Sequence, residues 1–214
     1  MKQKQLEGRT FSILGDSYST FNGYIPEGNV TYYPCPEKVD DVLRVEDTWW
    51  HQLMQRTGMR LLYNESYSGA TVCTDVRETQ PPESSFTVRA GYLKDYTDQK
   101  GDGPDYIILF GCTHDSWLER AQGQVQFENW TREDLKQVLP AYCYVLDVIC
   151  REHPKTCIVC VVNTGLNPVI AEGMHQAIEH YGAVTVNLAD IDKQNGHPSA
   201  LGMRQIAAQI EAVL

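Results

Sequence analysis

No stretch of this 214-residue chain is apolar for long enough to cross a bilayer as a helix, so no membrane span is expected. Positive charge is scarce: 18 Lys and Arg stand against 28 Asp and Glu, a net charge of −10. No basic run is interleaved with aromatics, and a phosphate backbone needs clustered Lys and Arg, so nucleic acid is excluded as a partner. Metal-ligand spacing is missing as well. The six histidines (His51, His114, His153, His175, His180 and His197) form no His-Glu-x-x-His or similar pattern, so no metal and no cofactor is expected. Seven cysteines make an odd set without a tight framework. Cys157 and Cys160 sit three apart in a strand-like run, where they point to opposite faces and make a poor chelate or redox pair. Cys143 and Cys150, two turns apart on a helical stretch, read as buried thiols. The segment Met1-Lys2-Gln3-Lys4-Gln5-Leu6-Glu7 lacks the apolar core of a signal peptide. Reduced thiols and a cytoplasmic location are the expectation.

What remains is a globular composition, 42% hydrophobic and 21% charged, sized for one domain over residues 1–214. Five short apolar, β-branched runs recur: Thr10 to Leu14, Arg60 to Tyr63, Tyr106 to Phe110, Cys157 to Val162 and Val184 to Leu188. The near-continuous apolarity of Tyr106-Ile107-Ile108-Leu109-Phe110 suits a strand buried on both faces of a parallel sheet. Helical patterns lie between the runs. One is capped by Asp47 or Thr48 and stops at Gly58; a long one starts at Thr131 and carries Leu135, Val138, Leu139, Tyr142, Leu146 and Ile149. Another carries Ile170, Met174 and Ile178 and stops at Gly182, and the last follows His197-Pro198. Strand alternating with helix predicts a three-layer α/β/α sandwich. Two connections, Asn22 to Glu46 and Val72 to Asp105, are too long for simple turns and are expected to wall the site.

The chemistry concentrates at the strand ends. Leu14-Gly15-Asp16-Ser17 stops the first strand with a turn that brings the Ser17 hydroxyl to the carboxyl edge of the sheet. Alone, such a turn equally fits a surface loop, and a serine is a nucleophile only where a base reaches it. His197, in Asn195-Gly196-His197-Pro198-Ser199 after the fifth strand, is that candidate base. Ser68-Gly69 follows strand two and Cys112-Thr113-His114-Asp115 follows strand three. Acyl transfer needs a nucleophile, a base and donors aimed at the oxyanion; Ser17, His197 and the amides of Ser17 and Gly69 supply them.

Taken in order, these motifs resemble the SGNH (GDSL-type) hydrolase superfamily, in particular its bacterial acyl-esterase-like members, across nearly the whole chain. The resemblance implies a flavodoxin-like five-stranded parallel sheet of order 2-1-3-4-5 and a metal-free serine esterase. It implies Ser17 as nucleophile, Gly69 as oxyanion glycine and His197 as base. Two departures stand out. The family's Gly-x-Asn-Asp block is here Cys112-Thr113-His114-Asp115, so His114 is either an altered oxyanion donor or a mark of altered activity. The orienting acid normally lies three residues before the histidine, where this chain has Gln194; Asp192 is the favoured substitute, with Asp190, Gln194 or a backbone carbonyl as alternatives. Asp16 reads as a turn stabiliser and Asp115 as a brace through backbone amides. The expected function is hydrolysis of a small-molecule ester, possibly an acylated carbohydrate, through an acyl-enzyme on Ser17. The alternatives are a catalytically weakened ligand-binding module on the same fold and, last, Cys112 as nucleophile. The oligomeric state has no signature in the sequence.

Overall fold

β-Branched and aromatic residues assemble five of the apolar runs into one parallel sheet, described in a computed structural model over residues 6–35, 37, 40–74 and 81–214. The basic amino-terminal residues 1–5, Pro36 and part of the second long connection (75–80) lie outside the described residues. In chain order the elements are β1 (Thr10–Gly15), α1 (Trp49–Thr57), β2 (Arg60–Ser66), α2 (Phe86–Arg89), β3 (Tyr106–Phe110), α3 (Thr113–Trp117), α4 (Val138–Glu152), β4 (Cys157–Val162), α5 (Pro168–Tyr181), β5 (Val184–Asn187), β6 (Lys193–Gln194), β7 (His197–Pro198) and α6 (Ala200–Val213). The sheet runs β2-β1-β3-β4-β5, every neighbour pair parallel, as the resemblance implies.

Alternation along each strand splits the core in two. Leu14, Ile107, Leu109, Cys160 and Val162 face α4 and α5, while Ile13, Ile108, Phe110, Val159 and Val161 face α1 and α6. That two-sided burial is why the strands read as continuous apolar runs. Thr48 caps α1 by accepting from the His51 amide at 3.4 Å, and Gly58 ends it at φ +74°. Gly182 ends α5 at φ +66°.

The long helix starts later than Thr131. A single 3-10 turn at Asp134–Lys136 is followed by an extended Gln137 (φ −110°, ψ 143°), and α4 begins at Val138. Pro140 is the reason: a proline disfavours helical backbone in the residue before it and cannot sit deep in a helix, so it is confined to the first turn. The second long connection likewise condenses into α2 and a 3-10 stretch, Ala90–Asp95.

Candidate active site

Ser17 is held by a turn packed too closely for any side chain at position 15. A Cβ on Gly15 would come within 2.5 Å of Ser66 Oγ and 2.7 Å of Ser19 Cβ. Asp16 caps the single 3-10 turn Ser17–Ser19, its Oδ1 accepting from the Tyr18 amide at 3.0 Å. Trp50 Nε1 (3.1 Å) and Asn64 Nδ2 (2.9 Å) donate to the Ser19 carbonyl, and Trp49 Nε1 donates to Ser19 Oγ at 3.2 Å. The turn is thus tied to α1 and β2, and Ser17 has little freedom to move.

His197 stands on a two-residue hairpin. β6 and β7 pair antiparallel around Asn195 (φ +49°) and Gly196 (φ +80°), the left-handed pair that such tight turns require. This places His197 Nε2 2.9 Å from Ser17 Oγ. The carbonyl oxygen of Asn195 lies 3.4 Å from His197 Nδ1. Asp192, expected against that nitrogen, sits on Ser199 instead. The register explains it: Lys193 pairs with Pro198 and Gln194 with His197. Asp192 therefore falls opposite Ser199, taking its amide (3.1 Å) on the backbone carbonyl and its hydroxyl on Oδ2. Gln194, the cross-strand neighbour of the base, keeps its Oε1 buried without a hydrogen bond.

The opposite wall comes from the turns after β2 and β3. Gly69 adopts φ +82°. Cys112 occupies the left-handed region at φ +68°, where the family pattern has glycine, and so carries backbone strain. His114, half-buried on α3, meets Trp117 edge to face at 5.9 Å. Asp115 is completely buried and accepts from the amides of Val72 (2.9 Å) and Cys73 (3.2 Å), tying the segment after Gly69 to α3. Burial pushes the Asp115 carboxyl above its usual range against the pull of those amides. Burial also pushes Asp16 up to about 7, the Tyr18 amide pulling the other way. The Cys112 thiol, 1% exposed and driven well above its ordinary pKa by burial, is inert as a nucleophile.

A family model, GDSL-like Lipase/Acylhydrolase, matches residues 9–214. The chain belongs to that family. Its solved relatives include two structures named as GDSL-like lipases. One, from Bacteroides uniformis, is 39% identical with a TM-score of 0.85, covering 95% of this chain and 93% of its own. The other, from Bacteroides ovatus, is 38% identical with a TM-score of 0.87, covering 96% and 97%. A family two carbohydrate esterase from Clostridium thermocellum, solved in complex with cellohexaose, shares the fold at 14% identity and a TM-score of 0.61, covering 95% of this chain and 62% of its own. No curated protein sequence matches. The protein is accordingly an ester hydrolase of the GDSL-like acylhydrolases.

Several residues that shape this acylhydrolase site escape sequence reasoning. Arg89 is fully buried beneath it, donating to the carbonyls of Ser84 (2.7 Å), Glu65 (2.5 Å) and Gly15 (3.0 Å) and lying over the Phe86 ring at 4.6 Å. Burial lowers its pKa to about 10 against the support of Glu65 and Asp16, so the charge persists at neutral pH. The one available signal was a lone cation in the apolar segment Phe86-Thr87-Val88-Arg89-Ala90. Tyr18 donates from its hydroxyl to the Gly196 carbonyl at 2.5 Å, tying the nucleophile turn to the histidine hairpin. Lys193 Nζ lies 5.5 Å over the Tyr18 ring, and Trp117, 45% exposed, stands at the rim. Among the described residues no cluster of His, Cys, Asp and Glu could hold a metal, and no helix is long and apolar enough to cross a membrane.

Proposed function

We propose that the protein cleaves small acyl esters, in particular from acylated carbohydrate, through an acyl-enzyme on Ser17. The observation that carries this reading is the 2.9 Å approach of His197 Nε2 to Ser17 Oγ. It lies within the reach a general base needs. Ser17 Oγ attacks the ester carbon while His197 Nε2 takes its proton, and the oxyanion faces the amides of Ser17 and Gly69 with His114 alongside. Collapse expels the alcohol, which takes the proton from His197. Water then attacks the acyl carbon by the same route, and Ser17 recovers its proton. The Asn195 carbonyl steadies the Nδ1 side of the ring, and Asp192 braces the hairpin one residue pair away through Ser199.

The carbohydrate half of the reading rests on the exposed rings of Trp117 and Tyr24, which offer flat apolar faces beside polar loops, and on a shared fold with an esterase solved with cellohexaose. Hydrolysis of p-nitrophenyl acetate and of acetylated oligosaccharides by wild type and Ser17→Ala tests it. Ser17→Ala is expected to lose at least ~10³ of kcat/KM, as removal of an activated nucleophile does. Undiminished turnover by Ser17→Ala would sink the mechanism. Tight binding of acylated saccharide without turnover by the wild type would favour the ligand-binding reading.

A further inference from the structure

We propose that Tyr32 is a positioning residue for the base: its ring face orients the His197 imidazole and stabilises the imidazolium formed when Ser17 gives up its proton. The inference rests on the Ser17–His197 reading above. The two rings stack with centroids 3.6 Å apart and 7° between planes. The other rings around His197 stand tilted or edge-on: Tyr18 at 5.3 Å and 51°, Trp117 at 5.5 Å and 69°, Tyr33 at 6.3 Å and 82°. Tyr32 is therefore the described aromatic residue that offers His197 a parallel face, and a face carries the negative pole of an aromatic quadrupole. A cation developing on the imidazole is attracted to it.

The stack is also built to hold its place. The Tyr32 amide donates to Thr20 Oγ1 at 2.9 Å, and that hydroxyl donates to the Ser17 carbonyl at 3.0 Å. One residue on, the Tyr33 hydroxyl donates to the Pro198 carbonyl at 2.8 Å. The same two loop residues thus clamp the nucleophile turn on one side and the histidine hairpin on the other. Tyr32 shares a rigid frame with both reacting groups, a degree of pre-organisation that catalysis rewards.

Titratable and charged groups face His197 from every side. Asp16 and Tyr18 come from the turn after β1, and Tyr32, Tyr33 and Asp40 from the first long connection. His114 comes from α3, and Asp192 and Lys193 from the hairpin arm. Replacing Tyr32 leaves the other seven in position, so a change in the titration of the base reports the lost ring. The stack favours the protonated imidazole and so raises its pKa; losing it lowers that pKa.

The test is the pH dependence of kcat and kcat/KM for p-nitrophenyl acetate in wild type, Tyr32→Phe, Tyr32→Leu and Ser17→Ala. In Tyr32→Leu the acidic limb is expected to move down by about one pH unit and kcat to fall ~10-fold. Tyr32→Phe keeps the ring and should track the wild type. Should Tyr32→Leu fail to fold, Tyr32→Met fills a similar volume without a π face and is read the same way. An unmoved limb in the folded aliphatic variant overturns the proposal. So does an equal loss in Tyr32→Phe, which would assign the effect to the hydroxyl. Wild-type turnover by Ser17→Ala is a separate outcome, because it removes the nucleophile rather than the stack.

Discussion

Arg89 offers the sharpest test of how the site is supported. Its guanidinium reaches the carbonyls of Gly15 and Glu65, the last but one residues or ends of adjacent strands, and that of Ser84 in the long connection. Replacement by Met keeps much of the volume and leaves three buried carbonyls without this donor. Hydrogen bonds to a charged group contribute about 1.5–3 kcal/mol each, but three on one fork do not add. Methionine also escapes the desolvation cost of a fully buried cation. Breaking a buried ionic cluster by removing one partner costs about 3–5 kcal/mol, so ~4 kcal/mol is the working figure for Arg89→Met. Against a typical total of about 5–15 kcal/mol the variant still folds. At roughly 2–4 °C per kcal/mol for a domain of this size, the melting temperature should fall ~8–16 °C. Arg89→Lys keeps the charge but presents one ammonium where three carbonyls need a planar fork, so its loss should be intermediate. Because Gly15 and Glu65 lead directly into the turns bearing Ser17 and Gly69, kcat/KM should fall at least ~10-fold in the Met variant at temperatures where it is fully folded. Thermal and urea unfolding followed by circular dichroism, with esterase assays beside them, read all of this. An Arg89→Met protein melting within ~2 °C of wild type would refute the reasoning.

Asp16 and Gly15 give two further tests. The folded pKa of Asp16 is raised to about 7, so between about pH 4 and pH 7 the native state binds more protons than the unfolded one, and stability falls as pH rises through that window. Asp16→Asn mimics the neutral acid and should raise the urea midpoint at pH 8, with the gain shrinking toward pH 5; a gain equal at both values contradicts the assignment. Gly15→Ala forces a Cβ to 2.5 Å from Ser66 Oγ, a clash that should cost about 1–3 kcal/mol and displace Ser17, read as a lower melting temperature together with lost esterase activity.

The strands and their ends were legible in the sequence because two-sided burial writes itself as continuous apolar runs, and because Gly-Asp-Ser and Gly-His-Pro are chain reversals that only strand termini accommodate. What stayed hidden depends on register and on contacts far apart in sequence. The start of α4 turned on one proline, which a stripe of Leu135, Val138 and Leu139 does not reveal. The partner of His197 Nδ1 turned on hairpin register: counting residues back from the histidine picks Asp192, whereas antiparallel pairing sends that carboxylate to Ser199 and leaves the Asn195 carbonyl against the ring. Arg89 is 74 residues from Gly15, and no local pattern reports that they meet.

These hidden contacts are not incidental to the visible motif. Gly15-Asp16-Ser17 fixes where a hydroxyl emerges, but a hydroxyl becomes a nucleophile through the groups that hold a base against it. Here the first long connection does that holding. Thr20 links Ser17 to Tyr32, Tyr33 links the same loop to Pro198, and Tyr18 closes the circuit onto Gly196. Three hydroxyls bonded to three carbonyls thus lock two turns that are 180 residues apart into the 2.9 Å contact. The aromatic richness of that connection, read in the sequence as a binding wall, is in the structure first a frame around the imidazole. Substrate meets what is left over, the exposed faces of Tyr24 and Trp117.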